Sequence, residues 1–124
     1  MKVLIIDDDP VTRQVLSKFL AERSFIPQTA ANGKEALQLL KAQKDIARIL
    51  LDISMPEMNA YEMMIAIQAD EQLSAMPYEI HIISDTDKES ILAEMHARNI
   101  NMSCVRNILK KPVDMEIMAF ALSI

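Results

Sequence analysis

Four times along this chain a short run of branched apolar residues stops on a polar or charged side chain. Val3 to Ile6 stops at Asp7-Asp8-Asp9, Ile49 to Leu51 at Asp52, Ile80 to Ile83 at Ser84, and Ile108-Leu109 at Lys110-Lys111. Apolar runs of this length, unbroken apart from His81, read as strands buried on both faces, as in a parallel sheet. Parallel strands need crossovers, and the intervening segments carry a helical period. Val11, Val15, Leu16, Phe19 and Leu20 recur at helical spacing opposite Arg13, Lys18, Glu22 and Arg23, and Pro10 suits a first helical turn.

The remaining segments repeat the pattern. A second strand fits Phe25 to Ala30, placed at an edge by Pro27, and Asn32-Gly33 marks a turn into a helix carrying Ala36, Leu37, Leu39 and Leu40 up to about Lys44. The third strand is predicted over Ala47–Leu51, followed by a loop Ser54–Met58 and a helix from about Ala60 to Gln72 with Met63, Met64 and Ile67 inward. Tyr78–Ile83 reads as a fourth strand, Ser84 to Asp87 as a capped helix start, and Lys88–Arg98 as a helix with Ile91, Leu92 and Met95 inward. A loop Asn99–Ser103, a fifth strand Cys104–Leu109 and a last helix Val113–Leu122 complete the chain. Strand and helix alternate five times, which predicts a flavodoxin-like (βα)5 doubly wound sheet with strand order 2-1-3-4-5. The switch of winding direction then lies between the first and third strands, so Asp7, Asp8 and Asp52 meet in one crevice at the carboxyl ends of the strands.

Carboxylates crowded together repel one another, and without a cation at least one is expected to hold its proton above the ordinary range. Mg²⁺, which takes oxygen ligands and keeps several waters, suits such an open acidic site; no Cys/His set suits Zn²⁺. Lys111 and Ser84 on the same rim would supply an amine and a hydroxyl for phosphoryl oxygens, and an aspartate can be the nucleophile that forms an acyl phosphate. Asp9 reads as a helix cap. His81 inside a strand and His96 on a helix read as structural, and Cys104 as a small buried residue without a basic neighbour.

The 124 residues fit one domain, 1–124; 51% are hydrophobic, and the net charge of −5 with scattered basic residues argues against direct nucleic-acid binding. The single cysteine, the absence of a leader pattern and the lack of any apolar run near the roughly 20 residues that span a bilayer predict a cytoplasmic chain without membrane contact.

With these residues in place, the chain resembles the receiver domain of two-component response regulators. The resemblance rests on Val3 to Pro10 with its acidic residues after the first strand, Ala31-Asn-Gly-Lys-Glu-Ala-Leu37, Leu51-Asp-Ile-Ser-Met-Pro56, and Lys111-Pro112. It implies that Asp52 accepts a phosphoryl group from a sensor histidine kinase or phosphotransfer protein. It further implies that Asp7, Asp8, Asp52 and the backbone carbonyl of Ser54 hold Mg²⁺, that Ser84 and Lys111 contact phosphoryl oxygens, and that the peptide before Pro112 is cis. Receivers catalyse only their own phosphorylation and dephosphorylation and are not otherwise enzymes. A downstream effector and a second copy of the chain are the further partners the resemblance admits.

Four features depart from the family pattern. Asn59-Ala60 replaces the usual aspartate and glycine after the loop, and Asp85 follows Ser84 where a small residue is usual, which is expected to slow phosphorylation. Asn99 to Arg106 is longer than the usual turn, and Ile108 holds the place of the switch aromatic and is expected to stay inside, because exposing it would forfeit roughly 1.5–3 kcal/mol. Two other readings remain at this stage: a haloacid dehalogenase-like phosphatase with Asp7 as nucleophile and Asp9 as acid/base, and a receiver that binds a partner without being phosphorylated. A nucleotide-binding domain is disfavoured because one glycine cannot build a phosphate-cradling loop.

Overall fold

The strands β1 (Lys2–Ile6), β2 (Ile26–Ala30), β3 (Arg48–Asp52), β4 (Glu79–Ser84) and β5 (Val105–Lys110) alternate with helices α1 (Pro10–Ala21), α2 (Gly33–Ala42), α3 (Ala60–Ala69), α4 (Glu71–Ser74), α5 (Lys88–Ala97) and α6 (Met115–Ser123). This computed structural model describes residues 1–55 and 57–123; Pro56, part of the loop and motif singled out above, lies outside the described residues. The strands form one all-parallel sheet in the order β2-β1-β3-β4-β5, the order expected. Side chains of a strand point alternately to its two faces, and both faces here are apolar. Val3, Ile5, Leu50 and Ile83 pack with Leu16 and Leu20 of α1 and Met118 and Leu122 of α6. Leu4, Ile6, Ile49, Leu51, Ile80 and Ile82 pack with α2, α3 and α5 through Ala36, Leu40, Met63, Met64, Ile91 and Met95.

Short polar side chains start the helices by accepting from backbone N–H groups that have no partner within the helix. Asp9, Asn32, Asn59 and Asp87 do so for α1, α2, α3 and α5, and Asn59 forms a reciprocal capping box with Glu62. The helix expected over 60–72 is broken in two at Asp70. Its carboxylate accepts from the N–H groups of Gln72 and Leu73 at 2.9 and 3.0 Å and begins the one-turn α4, while its own N–H closes α3 on the Ile67 carbonyl. Two other expectations shift. Val11 and Val15, assigned to the inner face of α1, are 64% and 49% exposed, so that helix buries a narrower stripe than its apolar spacing suggested. Leu92 is only half-buried beside Ile91 and Met95.

Pro27 is tolerated because β2 is an edge strand. Ile26 donates inward to the Met1 carbonyl at 2.8 Å, so alternation turns the position without an N–H outward. At the other edge, β5 pairs Val105 with Ile80 but Asn107 with His81, which leaves Arg106 as an extra residue in a bulge. The bulge brings the Arg106 guanidinium to 3.8 Å from Glu79, whose carboxylate also lies 3.4 Å from Arg48. Among the described residues, no helix is long and apolar enough to cross a membrane.

Candidate functional site

Asp7 follows β1 directly, Asp52 ends β3, Ser84 ends β4 and Lys111 follows β5, so the sheet delivers two carboxylates, a hydroxyl and an amine to the carboxyl ends of its strands. Asp7, Asp8 and Asp52 each place a carboxylate oxygen within 4.8 Å of the others; Asp7 and Asp52 are buried and Asp8 is exposed. The Lys111 ammonium reaches the Asp52 carboxylate at 3.2 Å, and the Ser54 N–H lies 3.4 Å from the same oxygen. Lys111 is placed by its own N–H, which donates to the Ser84 carbonyl at 2.8 Å, and the Lys111-Pro112 peptide is cis.

The electrostatics follow from this crowding. Burial holds the Asp52 carboxyl above the ordinary carboxylate range; the neighbouring Asp7 charge adds to the effect, and Lys111 and the Ser54 N–H offset only part of it. Asp7 is raised for the same leading reason, burial, against the Asp9 N–H and Lys111 and with the charges of Asp8 and Asp9. For Lys111, burial favours the neutral amine, but Asp52, Asp7 and Asp85 outweigh it and hold the ammonium charged beyond its ordinary range. A set of three oxygen donors, two of them buried and reluctant to ionise together and the third exposed, fits a hard divalent cation that retains water.

The other residues fall where their local bonding puts them. Asp9 is fully exposed, and its carboxylate, held below the usual range by Thr12 Oγ1 at 2.8 Å and the Val11 N–H at 3.0 Å, caps α1. Ser84 is buried; its hydroxyl accepts from the Thr86 N–H at 2.8 Å and lies 3.2 Å from the Thr86 carbonyl, so it is engaged with its own loop. Asp85 is exposed, and its charge acts on Lys111. Ala60 is fully buried at the first position of α3, and the left-handed backbone of this loop falls instead on Glu57 with φ 64°. His81 is buried in β4, where Asn107 Nδ2 lies 3.0 Å from its Nδ1, and His96 is exposed in the last turn of α5. Cys104 is half-buried rather than buried, its thiol pushed up by desolvation. Ile108 packs half-buried against the core.

Two contributors were not picked out from the sequence as site residues. Arg13 donates to the Asp7 carbonyl at 2.7 Å and fixes the turn that carries the acidic residues. Gly33, read only as a turn, packs against the loop after Asp52: a Cβ there would lie 2.8 Å from Met58 Cγ and 3.0 Å from its carbonyl oxygen, which also accepts the Gly33 N–H. Arg13 carried no sequence signal beyond lying on the polar side of its helix, whereas a chain with one glycine marks that position as special.

The chain matches the family model described as the response regulator receiver domain over residues 3–122. Among curated relatives, it is 35% identical over 75 residues to the two-component response regulator ORR5 of Oryza sativa subsp. japonica, covering 60% of this chain and 56% of that protein. It is 41% identical over 64 residues to an uncharacterized 14.6 kDa protein of Leptolyngbya boryana, covering 51% and 47%. The chain thus spans about half the length of the curated relatives it matches. Among solved structures, a response regulator receiver protein from Pseudomonas putida superimposes with a TM-score of 0.83 at 28% identity, covering 98% of this chain and 94% of that one. The chemotaxis protein CheY4 of Vibrio cholerae does so with a TM-score of 0.81 at 26% identity, covering 98% and 95%.

Proposed function

We propose, from the premise that this chain belongs to the response regulator receiver domain family, that it is a phosphoacceptor in a two-component relay with Asp52 as the acceptor. The observation that carries this reading is the meeting of the Asp7, Asp8 and Asp52 carboxylates within 4.8 Å, with Lys111 at 3.2 Å from Asp52. An Asp52 oxygen attacks the phosphorus of a phosphohistidine; the new O–P bond forms as the N–P bond breaks, and the imidazole nitrogen leaves with the electron pair of that bond. Lys111 offsets charge on the phosphoryl oxygens, and the Ser84 hydroxyl, released from Thr86, holds one of them. Asp7, Asp8, Asp52 and the Ser54 carbonyl are the residues that would hold Mg²⁺, which when bound neutralises charge on the phosphoryl group.

The donor has a surface to approach by. Beside Asp7 and Lys111 lies an open cavity of about 300 Å³ walled by Val11, Val15, Leu16, Val113 and Met115. Leaving the two valines in water has no structural return, and an apolar partner helix of a kinase or phosphotransfer protein would cover them. The phosphatase reading is weakened at its acid/base, because the Asp9 carboxylate is exposed and committed to capping α1.

Mass spectrometry after incubation with Mg²⁺ and a small acyl phosphate tests the proposal. One phosphoryl group is expected on the wild type and none on Asp52→Asn. Label that persists in Asp52→Asn and disappears in both Asp7→Asn and Asp9→Asn would overturn it in favour of the phosphatase.

A further inference from the structure

Of the three carboxylates that meet at the carboxyl ends of the strands, Asp8 has the least support of its own. Asp7 is buried and its carboxylate accepts the Asp9 N–H at 2.9 Å, and Asp52 is buried and takes the Lys111 ammonium at 3.2 Å. Asp8 is exposed; among the described residues nothing donates to its carboxylate, and its own N–H finds no backbone acceptor. Where its carboxylate stands is therefore decided by its backbone.

A peptide unit is a rigid plane, so the Asp7 carbonyl and the Asp8 N–H turn together. Only the carbonyl end of that plane is held, by Arg13 Nη1 at 2.7 Å. The chain on either side is tied down separately. The Asp7 N–H donates to the Ala30 carbonyl at 3.2 Å, and the Asp9 carbonyl accepts the Arg13 N–H at 3.0 Å while the Asp9 carboxylate caps α1. Arg13 thus grips the turn twice, through its main chain at Asp9 and through its side chain at Asp7. Without the second grip the plane can rotate, and rotation swings the Asp8 carboxylate away from the 4.8 Å span it shares with Asp7 and Asp52.

Charge alone gives no reason for a guanidinium here, because a positive group beside a cation site opposes the cation. The hydrogen bond and the charge of Arg13 act in opposite senses, so the sign of a substitution tells them apart. The two common hard cations also differ in what they ask of the turn. Mg²⁺ demands near-ideal octahedral geometry at roughly 2.0–2.1 Å, whereas Ca²⁺ accepts irregular shells at about 2.3–2.6 Å, so a loosened Asp8 penalises Mg²⁺ more.

Resting on the reading that Asp7, Asp8 and Asp52 hold a divalent cation, we infer that Arg13 is a positioning residue that sets the affinity of this site for Mg²⁺ and its preference for Mg²⁺ over Ca²⁺. It acts through the Asp7–Asp8 peptide and touches neither the cation nor the phosphoryl group.

The test titrates the full chain with Mg²⁺ and with Ca²⁺ separately, following the amide resonances of Asp8, Asp9 and Ile53. Arg13→Met should weaken Mg²⁺ by roughly tenfold, the low end of the loss that follows removal of a group supporting a metal ligand, and Ca²⁺ by no more than about threefold. Lys18→Met, which removes an exposed cation from the same helix, should leave the ratio of the two affinities unchanged. Melts in EDTA check that the variant is folded at the temperature of the titration. If it is not, Arg13→Gln, uncharged and too short to reach the carbonyl, takes its place with the same expected order. Unchanged or tighter Mg²⁺ binding in the Arg13 variant would overturn the positioning role in favour of charge, and equal losses for the two ions would overturn it in favour of a general loosening. A wild type without saturable shifts at Asp8 and Ile53 would instead overturn the metal site itself.

Discussion

Replacing Asp7 by Asn should make the metal-free protein more stable. The Asp7 and Asp52 carboxylates are buried within 4.8 Å of each other, a separation at which two unit charges repel by roughly 3 kcal/mol at an effective dielectric of 20. Lys111 at 3.2 Å from Asp52 relieves part of this, which leaves a net gain of about 1–2 kcal/mol for removing one charge. Asn keeps the acceptor oxygen that the Asp9 N–H uses at 2.9 Å, so the substitution breaks no bond. The pH dependence carries the signature. The Asp7 pKa is raised in the folded protein from an ordinary 3.8, so its favourable contribution is complete below that value and is lost as pH rises through the folded pKa. Wild type and Asp7→Asn should therefore diverge on leaving the acid range and run parallel at neutral pH, with the variant above. Urea or thermal melts in EDTA measure this, and at roughly 3–5 °C per kcal/mol for a domain of this size the thermal midpoint should rise by about 3–10 °C. Adding Mg²⁺ should reverse the order, since metal at a hundred times its Kd stabilises the wild type by about 2.7 kcal/mol and the variant far less. A variant that is equally or less stable in EDTA at neutral pH, with an unchanged pH profile, would refute the reasoning.

Gly33→Ala should destabilise by about 1–3 kcal/mol, because the Met58 side chain can move but its carbonyl, 3.0 Å from the new Cβ, belongs to the loop after Asp52; chemical denaturation gives the value, and a slower phosphorylation by the small donor should accompany it. Burial depresses the His81 pKa from the ordinary 6.5, so stability is undiminished above that pH and falls as pH drops through the folded value; His81→Leu should lack this slope in melts between pH 8 and 5. Asp85→Ala should quicken Asp52 phosphorylation by up to about fivefold, the scale of one exposed charge near the reacting group, and an unchanged rate would remove Asp85 as a brake.

Most of the fold and the placement of the acidic residues were legible because two periods, that of a doubly buried strand and that of an amphipathic helix, do not mimic each other over this many repeats. What escaped reading was decided by single contacts. The run 60–72 keeps its apolar spacing through Leu73, so nothing in the pattern announces that Asp70 turns its carboxylate onto Gln72 and Leu73 and starts a new turn. Val11 and Val15 fit a buried stripe by number, but α1 lies so that only Leu16 and Leu20 are buried. Lys111 was identified by its place after an apolar strand, whereas Ser84's engagement with Thr86 depends on the conformation of its loop. The glycine expected at position 60 proved unnecessary because the unusual backbone angle falls three residues earlier, at Glu57.

The two margins of the sheet bear on how this chain behaves when concentrated. A strand edge with its N–H and C=O groups free is a template on which another chain can polymerise. On β2, Pro27 removes one of the outward donors that alternation would otherwise supply, so a strand approaching there finds a gap in the ladder. On β5, the Arg106 bulge breaks the register and a guanidinium stands at the break. Neither margin can extend the sheet cheaply, so growth of ordered aggregates by edge addition is blocked on both sides. A second copy that associates in solution has to come in over the helices, and Pro27→Thr, which restores the missing donor to an exposed edge, is the change most apt to open a route to fibres.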